Sequence, residues 1–169
     1  MPGTKEELLK TIDTIDCTYD ILAGGTDLYA KEKTPFNGAD AAIDISGIKE
    51  FSVIELKKDE GLITFGSNIC IQQFLEEKVL MENVPILRHA AIYFADQQIR
   101  EMATVGGNVA NSSPSGDTIA PLTVLEAVIH TITSKDNKIC EKETPITEFI
   151  TGVGKNLLEK GEVISSITC

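Results

Sequence analysis

Residues 21–30, ILAGGTDLYA, carry an apolar run straight into Gly24-Gly25-Thr26-Asp27, and a second glycine pair follows in residues 103–117, ATVGGNVANSSPSGD. Neither segment fits a common nucleotide motif. No G-x-G-x-x-G surrounds Gly24, and no Lys-Ser/Thr follows it in P-loop spacing. The chemistry still points to a ligand. Adjacent glycines admit positive φ and leave no Cβ in a ligand's path. Successive amides in such turns form an anion-binding nest, to which the Thr26 hydroxyl and a following helix N-terminus add donors. A helix end contributes about 0.3–1 kcal/mol to an exposed anion, so one turn holds a phosphate weakly and two converging turns hold a diphosphate better. The plainer alternatives are a tight connection at each Gly-Gly, a helix cap at Asp117 and a core aromatic at Phe94.

Around these segments, Thr4-x-x-Glu7 is a capping-box pattern that opens a helix through about residue 13. Residues 19–23 and 41–45 read as strands, and 27–33 as a short helix. Together they make a small α/β lobe over 1–51. From residue 52 the pattern changes. Runs at 53–56 and 62–65 predict a hairpin, and 70–78 and 85–94 predict amphipathic helices. The stretch 102–115 lacks periodicity and predicts an ordered, functional loop. Asp117 is expected to cap a helix over 117–126 with Pro121 in its first turns. A second hairpin follows at 128–133 and 138–142, and a final strand at 162–168. These elements make a larger α+β lobe over 52–169.

At 169 residues the chain is long enough to bury a core. Its net charge of −11 disfavours nucleic acid and anionic membranes as partners. It leaves room for an anionic cofactor, because charges beyond roughly 8 Å are screened at physiological salt. No apolar run approaches the ~20 residues of a membrane span, and the N-terminus lacks a signal pattern. A cytoplasmic location is expected. Cys17, Cys70, Cys140 and Cys169 form no C-x-x-C pair and read as reduced thiols. His89 and His130 lack ligand-spaced neighbours, so neither a metal site nor a catalytic side chain is expected.

The strings ILAGGTDL and ATVGGNVANSSPSGDTIAPLTVLEA resemble the FAD-binding subunit of the molybdenum hydroxylases. That group includes the flavin subunit of xanthine dehydrogenase and the medium subunit of aerobic carbon monoxide dehydrogenase. AIDISGI and GEVISSI resemble flanking strands of the same family, so the resemblance covers essentially the whole chain. T-x-G-G-N followed by S-P-x-x-D is its more specific motif.

The resemblance implies a two-lobed FAD-binding domain of the vanillyl-alcohol oxidase type, a type it shares with the cell-wall reductase acting on UDP-enolpyruvyl-glucosamine. Ile21, Leu22, Ala23, Gly24, Gly25, Thr26, Asp27 and Leu28 would wrap the diphosphate and adjacent sugar. Thr104, Val105, Gly106, Gly107 and Asn108 would form the second cradle. Asp117 would accept hydrogen bonds from cofactor hydroxyls, Phe94 would pack on a cofactor ring, Ile164 would add an apolar contact, and Ser113 and Ser115 would donate. Implied partners are an iron–sulfur subunit and a molybdopterin-binding subunit, with electrons passing through FAD to an acceptor. The family's further C-terminal α/β domain is missing from this sequence, which ends at Cys169. A docking lobe that binds those subunits without retaining flavin is the alternative.

Overall fold

A computed structural model describes residues 1–28, 38–135 and 138–169. Helix α1 (Lys5–Thr14) starts where Thr4 Oγ1 accepts from the Glu7 amide at 3.2 Å. The capping box is shifted by one residue, because Glu7 Oε2 accepts from the Gly3 amide at 2.7 Å. Strands β1 (Tyr19–Leu22) and β2 (Ala41–Asp44) pair in parallel, Tyr19 against Ala41. The helix expected over 27–33 lies mostly outside the described residues.

The larger sheet is five-stranded, fully antiparallel and ordered β3-β4-β9-β5-β6. Its members are β3 (Ile54–Lys57), β4 (Leu62–Gly66), β5 (Val128–Lys135), β6 (Lys138–Pro145) and β9 (Val163–Thr168). Both expected hairpins form, and the second is longer than its apolar runs suggest. A short hairpin of β7 (Ile150–Gly152) and β8 (Lys155–Asn156) follows the one-turn helix α8 (Ile146–Phe149). Neither element carries enough periodicity to be read from sequence.

Two apolar clusters organise the chain. The larger gathers Phe65, Ile129 and Ile167 of the sheet with Phe74 and its neighbours on helices α2 (Gln73–Glu76), α3 (Lys78–Asn83) and α4 (Pro85–Tyr93). The smaller packs Leu8, Leu9, Ile43, Ile45 and Phe51 against Ile132 and Val163 of the larger sheet. A bulge interrupts β9. His130 pairs with Ser166 and Thr131 with Ile164, so Ser165 is the extra residue. Bulges re-aim side chains. Here the bulge lets Ile164 and Ile167, three residues apart, both join the larger cluster, while Val163 joins the smaller.

Three expectations need correction. The helix read over 70–78 begins only at Gln73, as α2, because Cys70 bridges Thr104 and residues 71–72 form a turn. The Ile71 amide donates to Ala103 O at 2.9 Å, and Val105 donates to Ile69 O at 2.9 Å. Buried Ile69 and Ile71 follow a strand period of two, which the following apolar residues masked. The loop read over 102–115 contains α6 (Val105–Asn111), preceded by α5 (Gln97–Met102). Two glycines and two valines give α6 poor helix propensity, so tertiary contacts hold it. Asn156 Nδ2 donates to Ala110 O at 2.7 Å and to Ser112 Oγ at 2.9 Å, closing its C-terminus. Finally, α7 is only Ile119–Val124, and its N-cap is Thr118 rather than Asp117. The Thr118 hydroxyl leaves that helix end and donates to Asn108 Oδ1 at 2.5 Å.

No helix among the described residues is long and apolar enough to cross a membrane.

Candidate functional site

The first glycine turn leaves β1 at the seam between the two clusters. Ile45 N donates to Leu22 O at 2.8 Å, so the parallel pair is still closed where the turn begins. Gly24 sits flush against the second segment. A Cβ there would lie 1.7 Å from Met102 O and 2.6 Å from Met102 C. Contact of backbone on backbone therefore requires glycine at this position. Gly25 has φ +70°, which turns the chain back over the cleft. Among the described residues no acceptor meets the amides of Gly24, Gly25 or Thr26. This turn is the open donor nest.

The second segment behaves differently. Thr104 caps α6, its Oγ1 accepting from the Gly107 amide at 3.1 Å. Val105 N goes to Ile69 O (2.9 Å), Gly106 N to Ser67 O (2.9 Å) and Asn108 N to Thr104 O (3.0 Å). Every amide of the T-x-G-G-N stretch from Val105 to Asn108 is thus taken by the protein. The expectation of a second amide nest is corrected: this glycine pair is for packing. A Cβ on Gly106 would lie 2.5 Å from Ser67 Cβ and 2.8 Å from Ser67 O. What the segment offers a ligand is its surface: exposed Gly107, the Asn108 side chain, and the run from Ser113 to Asp117.

Between the two lies a cleft of about 490 Å³, within the ~300–1,000 Å³ range of small-molecule sites. Val163 and Ile164 reach it from β9, next to the bulge. Phe94 forms an apolar wall and is only 8% exposed. Its position is held by Arg100, whose Nη1 donates to Phe94 O (3.0 Å) and Ala95 O (3.1 Å) while Nε donates to Gln72 Oε1 (2.9 Å). Ala95, the next residue, has φ +36°, a conformation that costs a non-glycine residue about 1–3 kcal/mol unless its surroundings impose it. The Arg100 guanidinium braces the carbonyls on either side of the Ala95 Cα. Glu162, on the rim, binds the Thr131 hydroxyl and accepts from the Glu159 amide at 2.9 Å.

The charge of the lining is one-sided. Asp27, Asp117 and Glu162 are there, and no Lys or Arg is among the described lining residues. Neutral donors at the Gly24–Thr26 turn suit an anion, whereas hydroxyl groups find an acceptor in the Asp117 carboxylate. A ligand with both a diphosphate and polyol parts fits that division.

Of the residues expected at the site, Ile21, Ala23, Gly24, Gly25, Thr26, Asp27, Leu28, Phe94, Thr104, Gly106, Gly107, Asn108, Ser113, Ser115, Asp117 and Ile164 line this one cleft. Leu22 and Val105 do not; Val105 is fully buried in the larger cluster. Sequence reading missed Ile45, Ser67, Asn68, Ile99, Asn111, Leu158 and Glu162. Ser67-Asn68 follows an apolar strand directly, a corner signal, yet nothing in the sequence ties it to the glycine segments.

The whole chain, residues 1–169, matches the family described as FAD binding domain in molybdopterin dehydrogenase. The chain belongs to that family. A xanthine dehydrogenase FAD-binding subunit of Escherichia coli is 31% identical over 144 residues, covering 85% of this chain and 48% of its own length. The nicotinate dehydrogenase FAD-subunit of Eubacterium barkeri is 29% identical over 150 residues, covering 87% and 49%. The chain therefore spans about half the length of these curated relatives. Carbon monoxide dehydrogenase from Hydrogenophaga pseudoflava superposes with a TM-score of 0.86 at 24% identity, over 99% of this chain and 56% of the other, and so shares the fold. FAD is the cofactor of this family of oxidoreductase domains, in agreement with the expectation from sequence.

Proposed function

We propose that the cleft holds FAD and that the domain relays electrons within a molybdenum hydroxylase. In this reading the amides of Gly24, Gly25 and Thr26 hold the diphosphate. Asp117 accepts from cofactor hydroxyls, Asn108 and Ser113 add polar contacts, and Phe94 and Ile164 pack on ring surface. Asn108 suits the role because its Oδ1 is pinned by Thr118, which fixes its amide group. When bound, FAD supplies two-electron storage between one-electron donors and a terminal acceptor. The chain's own contribution is to bind, to orient and to exclude water. The lobes expected at 1–51 and 52–169 are assigned as two halves of a vanillyl-alcohol oxidase-type fold that close on the cofactor. An iron–sulfur subunit and a molybdopterin subunit are its partners in the cytoplasm.

The single observation that carries the reading is the open amide turn at Gly24–Thr26 facing a cleft of cofactor size. Reconstitution tests it. Purified chain is incubated with FAD, desalted and scanned in the visible range. Flavin retained at about one per chain supports the proposal. Complete loss of flavin, with the chain still capturing iron–sulfur and molybdopterin subunits, supports the flavin-free docking lobe instead.

A further inference from the structure

The corner after β4 carries two polar atoms with no partner. Ser67 Oγ and Asn68 Oδ1 are closed to water and lack a hydrogen bond among the described residues. Both residues line the cleft, and Ser67 is only 3% exposed. The identity of the Asn68 atoms is fixed by the network. Its other terminal atom donates to Ile45 O at 2.7 Å and must be Nδ2. The corner is also rigid. Ser67 N donates to Ser165 O at 3.0 Å, Asn68 N to Phe51 O at 2.8 Å, and Ser67 O accepts from Gly106 at 2.9 Å. It is thereby bound to both the smaller cluster and the second glycine segment. The remaining orphan atom, Asp20 Oδ2, lies on β1 away from the cleft.

An unpaired buried polar atom is costly, and native proteins keep few of them without a use. Resting on the FAD reading above, we infer that Ser67 and Asn68 form a binding point for a sugar-type hydroxyl of the cofactor. Asn68 Oδ1 can only accept, while a serine hydroxyl donates and accepts. A hydroxyl, which also does both, satisfies the pair. A phosphate oxygen has no hydrogen for Asn68 Oδ1 and sets lone pair against lone pair. One torsion, χ1, sets where the Ser67 hydroxyl points, so seating a ligand needs no backbone change at this braced corner. The ribityl chain and the ribose of FAD offer the same chemistry, and fragments of the cofactor tell them apart.

The test compares wild type with Ser67→Ala, full chain in both cases. Thermal midpoints are measured without ligand, and affinities are measured for FAD directly and for riboflavin, ADP and inorganic pyrophosphate by competition. Removing an orphan hydroxyl leaves the ligand-free midpoint unchanged or raises it. FAD affinity falls about five- to tenfold, the loss of one hydrogen bond. The same factor with riboflavin places the contact on the ribityl chain, and with ADP on the ribose. Pyrophosphate is unaffected. Equal FAD affinity in the two proteins overturns the inference, as does a lowered ligand-free midpoint, which means the hydroxyl already had a protein partner. A loss reproduced only by pyrophosphate, or by none of the fragments, overturns the hydroxyl assignment. If wild type itself takes no FAD, the functional reading fails and the inference falls with it, a result distinct from a Ser67→Ala chain that binds normally.

Discussion

Gly24→Ala probes the contact on which the cleft depends. The added Cβ would meet Met102 O at 1.7 Å and Met102 C at 2.6 Å. The obstacle is main chain, so no rotamer change can relieve it. The two segments must part by about 1 Å or more, an overpacking of the kind that costs roughly 1–3 kcal/mol. For a chain of this length that is a fall in Tm of about 2–12 °C, with the rigid obstacle favouring the upper half. Parting the segments also moves the open amides away from the opposite wall, so FAD affinity drops by tenfold or more, about 1.4 kcal/mol or above. Gly107→Ala is the control. Its Cβ meets only Thr104 Oγ1, at 2.9 Å, on an exposed helical position, where a gain of about 1 kcal/mol in helix propensity offsets a weakened cap. Differential scanning fluorimetry and flavin-fluorescence titration read both variants. If Gly24→Ala melts like Gly107→Ala and binds FAD like wild type, the close approach is not what forms the cleft.

Thr104→Val removes the cap on the Gly107 amide while keeping volume, and lowers stability by about 1 kcal/mol, read as a Tm loss of about 2–4 °C. Arg100→Met frees the Phe94 and Ala95 carbonyls; partial exposure limits the stability loss to about 1–2 kcal/mol. Flavin affinity falls more than Tm suggests, and Arg100→Lys restores only part of it, because one ammonium cannot reproduce the guanidinium fork. Burial pushes the Cys169 thiol up from 9.0 to about 12. The folded chain then holds that proton where the unfolded chain has lost it, so stability is fully present below about pH 9 and declines as pH rises from 9 toward 12. Urea titrations at pH 8 and 10 measure that decline, and Cys169→Ala flattens it. At pH 8 a thiol reagent labels exposed Cys17 faster than half-buried Cys169.

Local signals carried far into this fold. The Thr4 cap, the strands at 19–22 and 41–44 and both hairpins were legible because each is encoded within a few residues. The failures share a cause in distant partners. Helix α6 forms against its own glycine content because Ser67 and Ile69 accept its first amides and Asn156 closes its end. Residues 69–71 are kept out of a helix because 103–105 lies alongside, Cys70 bridging Thr104. The same holds for the site. The two glycine pairs were visible, but their roles were not interchangeable as sequence suggested. One presents amides to the cleft, while the other has its amides committed inside the protein. Ser67 and Asn68 were invisible because what distinguishes them is a missing partner, which only packing reveals.

The most direct measurement follows the backbone amides of ¹⁵N-labelled protein through an FAD titration by two-dimensional NMR. The account predicts large, saturable shifts at Gly24, Gly25 and Thr26, with the amides of Val105 and Gly106 moving much less. Shifts centred on Val105–Asn108 with Gly24–Thr26 unmoved, or confined to a surface away from this cleft, would contradict it.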